Sequence, residues 1–147
     1  MLDQVLNGVL LMKIREIVKV DSKGRITIPL TIREALDIRE RMTVLLIADK
    51  ERKEIIVSPI PERAKLIELT IRVEDRPGVL AELTRELANK GIDIIATKCI
   101  VLKRGEMGEC YMVVDLSRSL ITNLRELEEA LQKLEPVREA RAQEIHS

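Results

Sequence analysis

Four cationic side chains, Lys19, Lys23, Arg25 and Arg33, fall close together around the turn-forming run Asp21-Ser22-Lys23-Gly24. Cations in such a cluster can neutralise nucleic-acid phosphates and release their counterions, and an arginine can also grip a guanine edge with two hydrogen bonds. A second group, Asp75-Arg76-Pro77-Gly78-Val79-Leu80, opens a stretch of helical periodicity, with Asp93 at the start of the strand pattern beyond it. A Pro-Gly turn at a helix start leaves backbone N–H groups open to a carboxylate. Asp75 and Asp93, expected at the ends of adjacent strands, would suit an ammonium group. Together these features describe a site for an α-amino acid, with Asp75 alternatively capping the helix. The lone histidine, His146, and two cysteines cannot assemble a zinc cluster or a nucleophilic triad. Nothing combines nucleophile, base and oxyanion donor, so the reading is not an enzyme, with no cofactor beyond a small effector.

The chain has 147 residues, enough for one ordinary domain or two small ones, and its 46% hydrophobic and 34% charged residues are a globular composition. Formal net charge is zero, so any nucleic-acid surface must be a local patch. Residues 12–60 hold 11 basic and 8 acidic side chains, whereas residues 61–147 hold 14 and 16, which puts the basic excess in the first part. Tyr111 is the sole aromatic residue, which argues against modules that stack bases on aromatic platforms. No apolar run reaches the ~20 residues of a membrane helix. Cys99 and Cys110, lacking CxxC spacing, read as reduced, buried, inert thiols of a cytoplasmic protein. The weakly apolar residues 1–11 lack the basic start and cleavage site of a signal peptide. They read as a short helix or an extension ahead of a second start at Met12.

The elements that must position these groups fall into two blocks. In residues 12–60, Ile14–Val20 and Arg25–Ile28 read as a hairpin about the Gly24 turn. Pro29 ends the second strand, and Thr31 to Glu34 has the form of a capping box opening a short helix through Leu36. Thr43–Ala48 and Glu54–Ser58 read as a second hairpin. A block of this size buries too little surface to stand alone, so two chains must share it. The run Val20-Asp21-Ser22-Lys23-Gly24-Arg25-Ile26-Thr27-Ile28-Pro29, then Ile32-Arg33-Glu34-Ala35-Leu36, resembles the AbrB/SpoVT/MazE-type swapped-hairpin family. The resemblance implies a homodimeric, β-rich barrel with interleaved hairpins that binds duplex DNA through Arg25 and Arg33. Lys19 and Lys23 join them from the same patch. Asp37 stands where a glycine is usual, which predicts a different helix end.

Residues 66–145 read as strand, helix, strand, strand, helix, strand, the βαββαβ order of an α+β ferredoxin-like unit. Val79, Leu80, Leu83, Leu87 and Ala88 recur at helical spacing, and Gly91 closes that helix. Asn123 caps a second helix lined by Leu124, Leu127, Leu131 and Leu134. The stretch Val73 to Leu80, with Leu83, Leu87, Ala88 and Gly91-Ile92-Asp93-Ile94, resembles the ACT domain, which implies paired sheets and an amino acid held at the interface. The whole then reads as an amino-acid-responsive transcriptional regulator, a homodimer or tetramer with duplex DNA and a free amino acid as partners and no membrane. The alternatives are an antitoxin-like protein-interaction module and a trans-acting regulatory subunit of an amino-acid enzyme.

Overall fold

The computed structural model describes residues 13–146, and the helix or extension expected before Met12 lies outside the described residues. The chain divides into two compact units, one ending at Met42 and the other beginning at Thr43. No helix among the described residues is long and apolar enough to cross a membrane.

In the first unit the expected turn forms. Gly24 N–H donates to the Asp21 carbonyl at 3.0 Å, Asp21 N–H donates to the Arg25 carbonyl at 2.9 Å, and Gly24 takes φ +76°. The ladder expected between Ile14–Val20 and Arg25–Ile28 does not extend from it, and neither segment pairs as a strand. Their apolar side chains explain this: Ile17 is 100% exposed, Val20 68% and Ile26 54%, so these segments lack a packing surface among the described residues. Helix α1 (Leu30–Ala35) follows. The capping box is not made. Pro29 takes the N-cap position, and the Thr31 hydroxyl donates instead to Glu16 Oε1 at 3.0 Å. The expected change of helix end does not occur either. Asp37 itself adopts φ +55°, Asp37 N–H donates to the Glu34 carbonyl, and Ile38 N–H donates to the Arg33 carbonyl at 2.8 Å. That is the double closure a glycine usually allows.

The second unit begins with the antiparallel hairpin β1 (Val44–Asp49) and β2 (Glu54–Pro59), whose turn is pinned by Glu51 and Arg52 N–H groups donating to Asp49 Oδ1. Then come β3 (Leu66–Val73), α2 (Val79–Asn89), β4 (Asp93–Lys103), β5 (Met107–Asp115), α3 (Leu124–Gln132) and β6 (Val137–Glu144). Their sheet is ordered β4-β5-β3-β6, and its three neighbouring pairs are antiparallel. Alternation along the strands sends Ile67, Leu69, Ile71, Cys110, Met112 and Val114 to one face. There they meet Leu83 and Leu87 of α2 and Leu127 and Leu131 of α3, all fully buried. Leu124 and Leu134 flank the same core. Asn123 Oδ1 accepts from Glu126 N–H at 2.8 Å, and Gly91, at φ +72°, closes α2 as expected.

Asp115 is the one buried charged residue of the described core, 4% exposed. Burial raises its pKa, but the N–H groups of Ser117 and Lys65, each at 2.9 Å, outweigh that and hold the carboxyl below its ordinary value. A depressed carboxylate stabilises the fold above its unfolded pKa of about 3.9 and loses that contribution as pH falls through the folded value. Urea midpoints measured from pH 7 to pH 2 should therefore be flat at first and drop below about pH 4. Asp115→Asn should cost about 1–3 kcal/mol at pH 7 and flatten the acid limb.

Candidate functional site

Asp21 organises the basic turn. Its Oδ1 accepts from the N–H groups of Lys23 and Arg25, both at 2.9 Å, and its Oδ2 accepts from Arg25 Nε at 2.8 Å. The Arg25 backbone and side-chain hydrogen bonds, in that order, lower the Asp21 pKa. Arg25 is thereby held in one orientation at the turn while 69% of its side chain stays exposed. Arg33 Nε donates to the Ile28 carbonyl at 2.9 Å, which ties α1 back to the segment before it. Among the described residues Lys19 and Lys23 form no ion pair. The four cations lie on one short stretch without a buried side chain.

The loop between β3 and α2 is built from its own charges. Glu74 accepts from Arg76 Nε at 3.1 Å and from Arg138 Nη2 at 3.0 Å, and its N–H donates to the Pro136 carbonyl at 2.8 Å. Asp75 Oδ2 accepts from Gly105 N–H at 2.6 Å, and Asp75 N–H donates to the Glu106 carbonyl at 3.3 Å. Asp75 thus joins the loop to the β4–β5 turn rather than capping α2. Gly78 occupies the N-cap at φ +88° with no side-chain cap, which leaves the first-turn N–H groups of α2 open. Pro77 is exposed beside it, Val79 is buried and anchors the helix in the core, and Leu80 is exposed at the rim.

Asp93 is not near this loop within one chain. It pairs across from Asp115, whereas Val73 pairs across from Gly108, seven residues and roughly 23 Å along β5. Nor are β3 and β4 neighbours, because β5 lies between them. The cause is the crossover: α2 carries the chain back along the sheet, so β4 starts at the end opposite the loop.

Cys99 and Cys110 face each other across β4 and β5 and form a disulfide, which corrects the expectation of reduced, inert thiols. They stand symmetrically about the Arg104-Gly105 turn, a signal present in the sequence once the hairpin is drawn. On the helix-free face, a cleft of about 430 Å³ is lined by Ile47, Ile56, Ala96, Ile100 and Tyr111, with Lys98 pairing Asp49 at its rim. None of its lining residues belongs to the Glu74–Leu80 loop.

The ACT domain model matches residues 67–139, and the model for antidote-toxin recognition MazE, bacterial antitoxin, matches residues 17–65. The chain joins a MazE/AbrB-type domain to an ACT domain. Both domain types are regulatory rather than catalytic. An ACT domain protein from Streptococcus pneumoniae is similar at 21% identity, covering 56% of this chain and 91% of its own, with a TM-score of 0.45. No curated protein matches the chain.

Gly78 gives the ACT loop its sharpest conformational demand. A Cβ there would touch nothing within 4 Å, so the penalty of substitution is backbone strain alone. Gly78→Ala should lower stability by about 1–2 kcal/mol, and Gly78→Asn by less, because asparagine tolerates positive φ. Thermal unfolding of the three proteins side by side checks the order.

Proposed function

We propose that this protein is an amino-acid-responsive transcriptional regulator that binds duplex DNA as a homodimer. The observation that carries this reading is the first unit's lack of any buried side chain among residues 13–42, while Ile14, Ile17, Val18, Val20 and Ile26 are exposed. A second copy that interleaves its arms would bury them, at about 1.5–3 kcal/mol for each side chain fully removed from water. The same symmetry would set two copies of Lys19, Lys23, Arg25 and Arg33 on one face, with Asp21 holding each Arg25 in place. The match to a MazE/AbrB-type domain supports this.

The ACT domain would sense the effector between two copies. β4 is an edge strand of its sheet. If two copies pair antiparallel along β4, centred near Lys98, Asp93 of one copy comes to the Lys103 end of the other. There it would meet the Asp75-Arg76-Pro77-Gly78-Val79-Leu80 loop. An effector carboxylate would take the open N–H groups of α2, and its ammonium would take the Asp93 carboxylate from the second copy. An effector that prefers one arrangement by about 1–3 kcal/mol suffices to shift DNA affinity.

The antitoxin description of the family matched by residues 17–65 favours one other reading, a module that captures a toxin protein. Copurification separates the two: a stoichiometric protein partner supports the module, and bound duplex DNA supports the regulator.

Fluorescence anisotropy with mixed-sequence duplex DNA over 50–300 mM salt should give a log–log slope on the order of −5 to −7 if four cations per copy engage phosphates. Arg25→Ala should make that slope shallower by about 2, because each copy then neutralises one phosphate fewer. A slope near zero, or binding indifferent to Arg25, defeats the DNA reading. Screening the twenty amino acids by thermal shift should find one that raises the unfolding midpoint, by the equivalent of about 2.7 kcal/mol at a hundredfold excess over Kd. No shift with any of them defeats the effector reading.

A further inference from the structure

We propose that the Cys99–Cys110 disulfide is a redox control on pairing of the ACT domain with a second copy, an inference that rests on the β4 pairing described above. The two cysteines are directly opposed, with Cα atoms 4.1 Å apart. That is the close spacing of a non-hydrogen-bonded antiparallel pair, whose N–H and C=O groups point away from the partner strand. Cys99 therefore turns its backbone donor and acceptor out to the free edge. By the alternation of the ladder, so do Thr97 and Val101, which pair with Met112 and Gly108. These are the groups a second copy's β4 would bond.

The register of β4 is set by its ladder with β5, by Ile94 against the core and by the Lys98–Asp49 ion pair. Its pairing with β5 shifts between Ile94 and Ala96 and again between Val101 and Lys103, so the segment carrying Cys99 is bracketed by two irregularities. Val101 and Leu102, toward the far end of β4, are exposed, so the disulfide is the covalent tie of that end to the core. Cys110, at 3% exposure, is rooted in the core, and the disulfide ties the edge strand to that root. The turn at the end of the same hairpin holds Asp75 through Gly105 N–H, so a displaced β4 would also move the ligand loop.

The chemistry needs a dithiol reductant. One of its thiolates attacks Cys99 Sγ, the sulfur of the exposed residue, to form a mixed disulfide, and Cys110 Sγ leaves and takes a proton. The second thiol of the reductant then attacks its own sulfur in the mixed disulfide and releases Cys99 as a thiol. Two electrons and two protons pass to the protein, and the reductant ends as a disulfide. Reduction removes that tie, the end of β4 beyond Cys99 opens more readily from β5, the bonding edge is less ordered, and pairing weakens.

Amide hydrogen exchange on the full chain, oxidised and after dithiothreitol, tests this. In the oxidised protein the amides of Thr97, Cys99 and Val101 should be protected increasingly as protein concentration rises. After reduction they should exchange at least about tenfold faster, while Leu69 and Ile71 of the central strand β3 stay unchanged. Cys99→Ser, a change at an exposed position, should reproduce the reduced rates without reagent. Equal protection of the edge amides in both redox forms, or Cys99→Ser behaving as the oxidised chain, overturns the redox control and leaves the pairing intact. Edge amides exchanging freely in both forms at every concentration would remove the pairing itself, and the control with it.

Discussion

The first unit is governed by a deficit of interior. No side chain among residues 13–42 is buried, yet this stretch is rich in isoleucine, valine and leucine. Local interactions still form. The Asp21 turn closes, and α1 ends on the left-handed Asp37 with two backbone hydrogen bonds. Such interactions shape a chain but do not stabilise one, because each offsets only a fraction of the entropy lost on ordering the backbone. On the proposed reading, the missing stabilisation comes from apolar burial against a second copy. Everything proposed for the basic turn depends on that completion.

The second unit is self-sufficient by contrast. Two amphipathic helices cover one face of a four-stranded sheet, and the core is continuous from Ile67 to Ala140. What it leaves open is an edge and a loop. The loop's charges are largely engaged, Glu74 with Arg76 and with Arg138 of β6, and Asp75 with the Gly105 N–H of the β4–β5 turn. The uncapped start of α2 is what remains available to an anion. On the proposed reading, recognition at this loop would draw on backbone dipoles more than on free side chains.

What could be read from the sequence was what is decided locally. Gly91 and Asn123 end and begin their helices as their types require, and the leucines of α3 recur at the helical period. Thr31 failed as a cap because Pro29 two residues earlier already holds φ at −58°, a value suited to the helix entrance, leaving the threonine hydroxyl to reach Glu16. Asp37 and a glycine look different in sequence but serve the same turn, since aspartate is among the few residues that tolerate the left-handed region. The misjudged features were topological. Asp75 and Asp93 are separated by the length of the sheet because a crossover helix reverses direction. Cys99 and Cys110 meet because a hairpin returns on itself. Spacing along the chain reports neither until the strands are laid side by side.

The poverty of aromatic residues has an optical consequence. With no tryptophan and Tyr111 alone, the near-ultraviolet spectrum of the folded chain comes almost wholly from one phenol on β5 and one disulfide that links β5 to β4. Burial and then the neighbouring Glu68 carboxylate raise the Tyr111 pKa, so the ring remains neutral well into alkali. Tyr111 lies opposite Lys98 on the edge strand and Thr70 on the central one. Its absorbance and emission therefore make a built-in reporter of the helix-free surface, with no competing fluorophore to subtract.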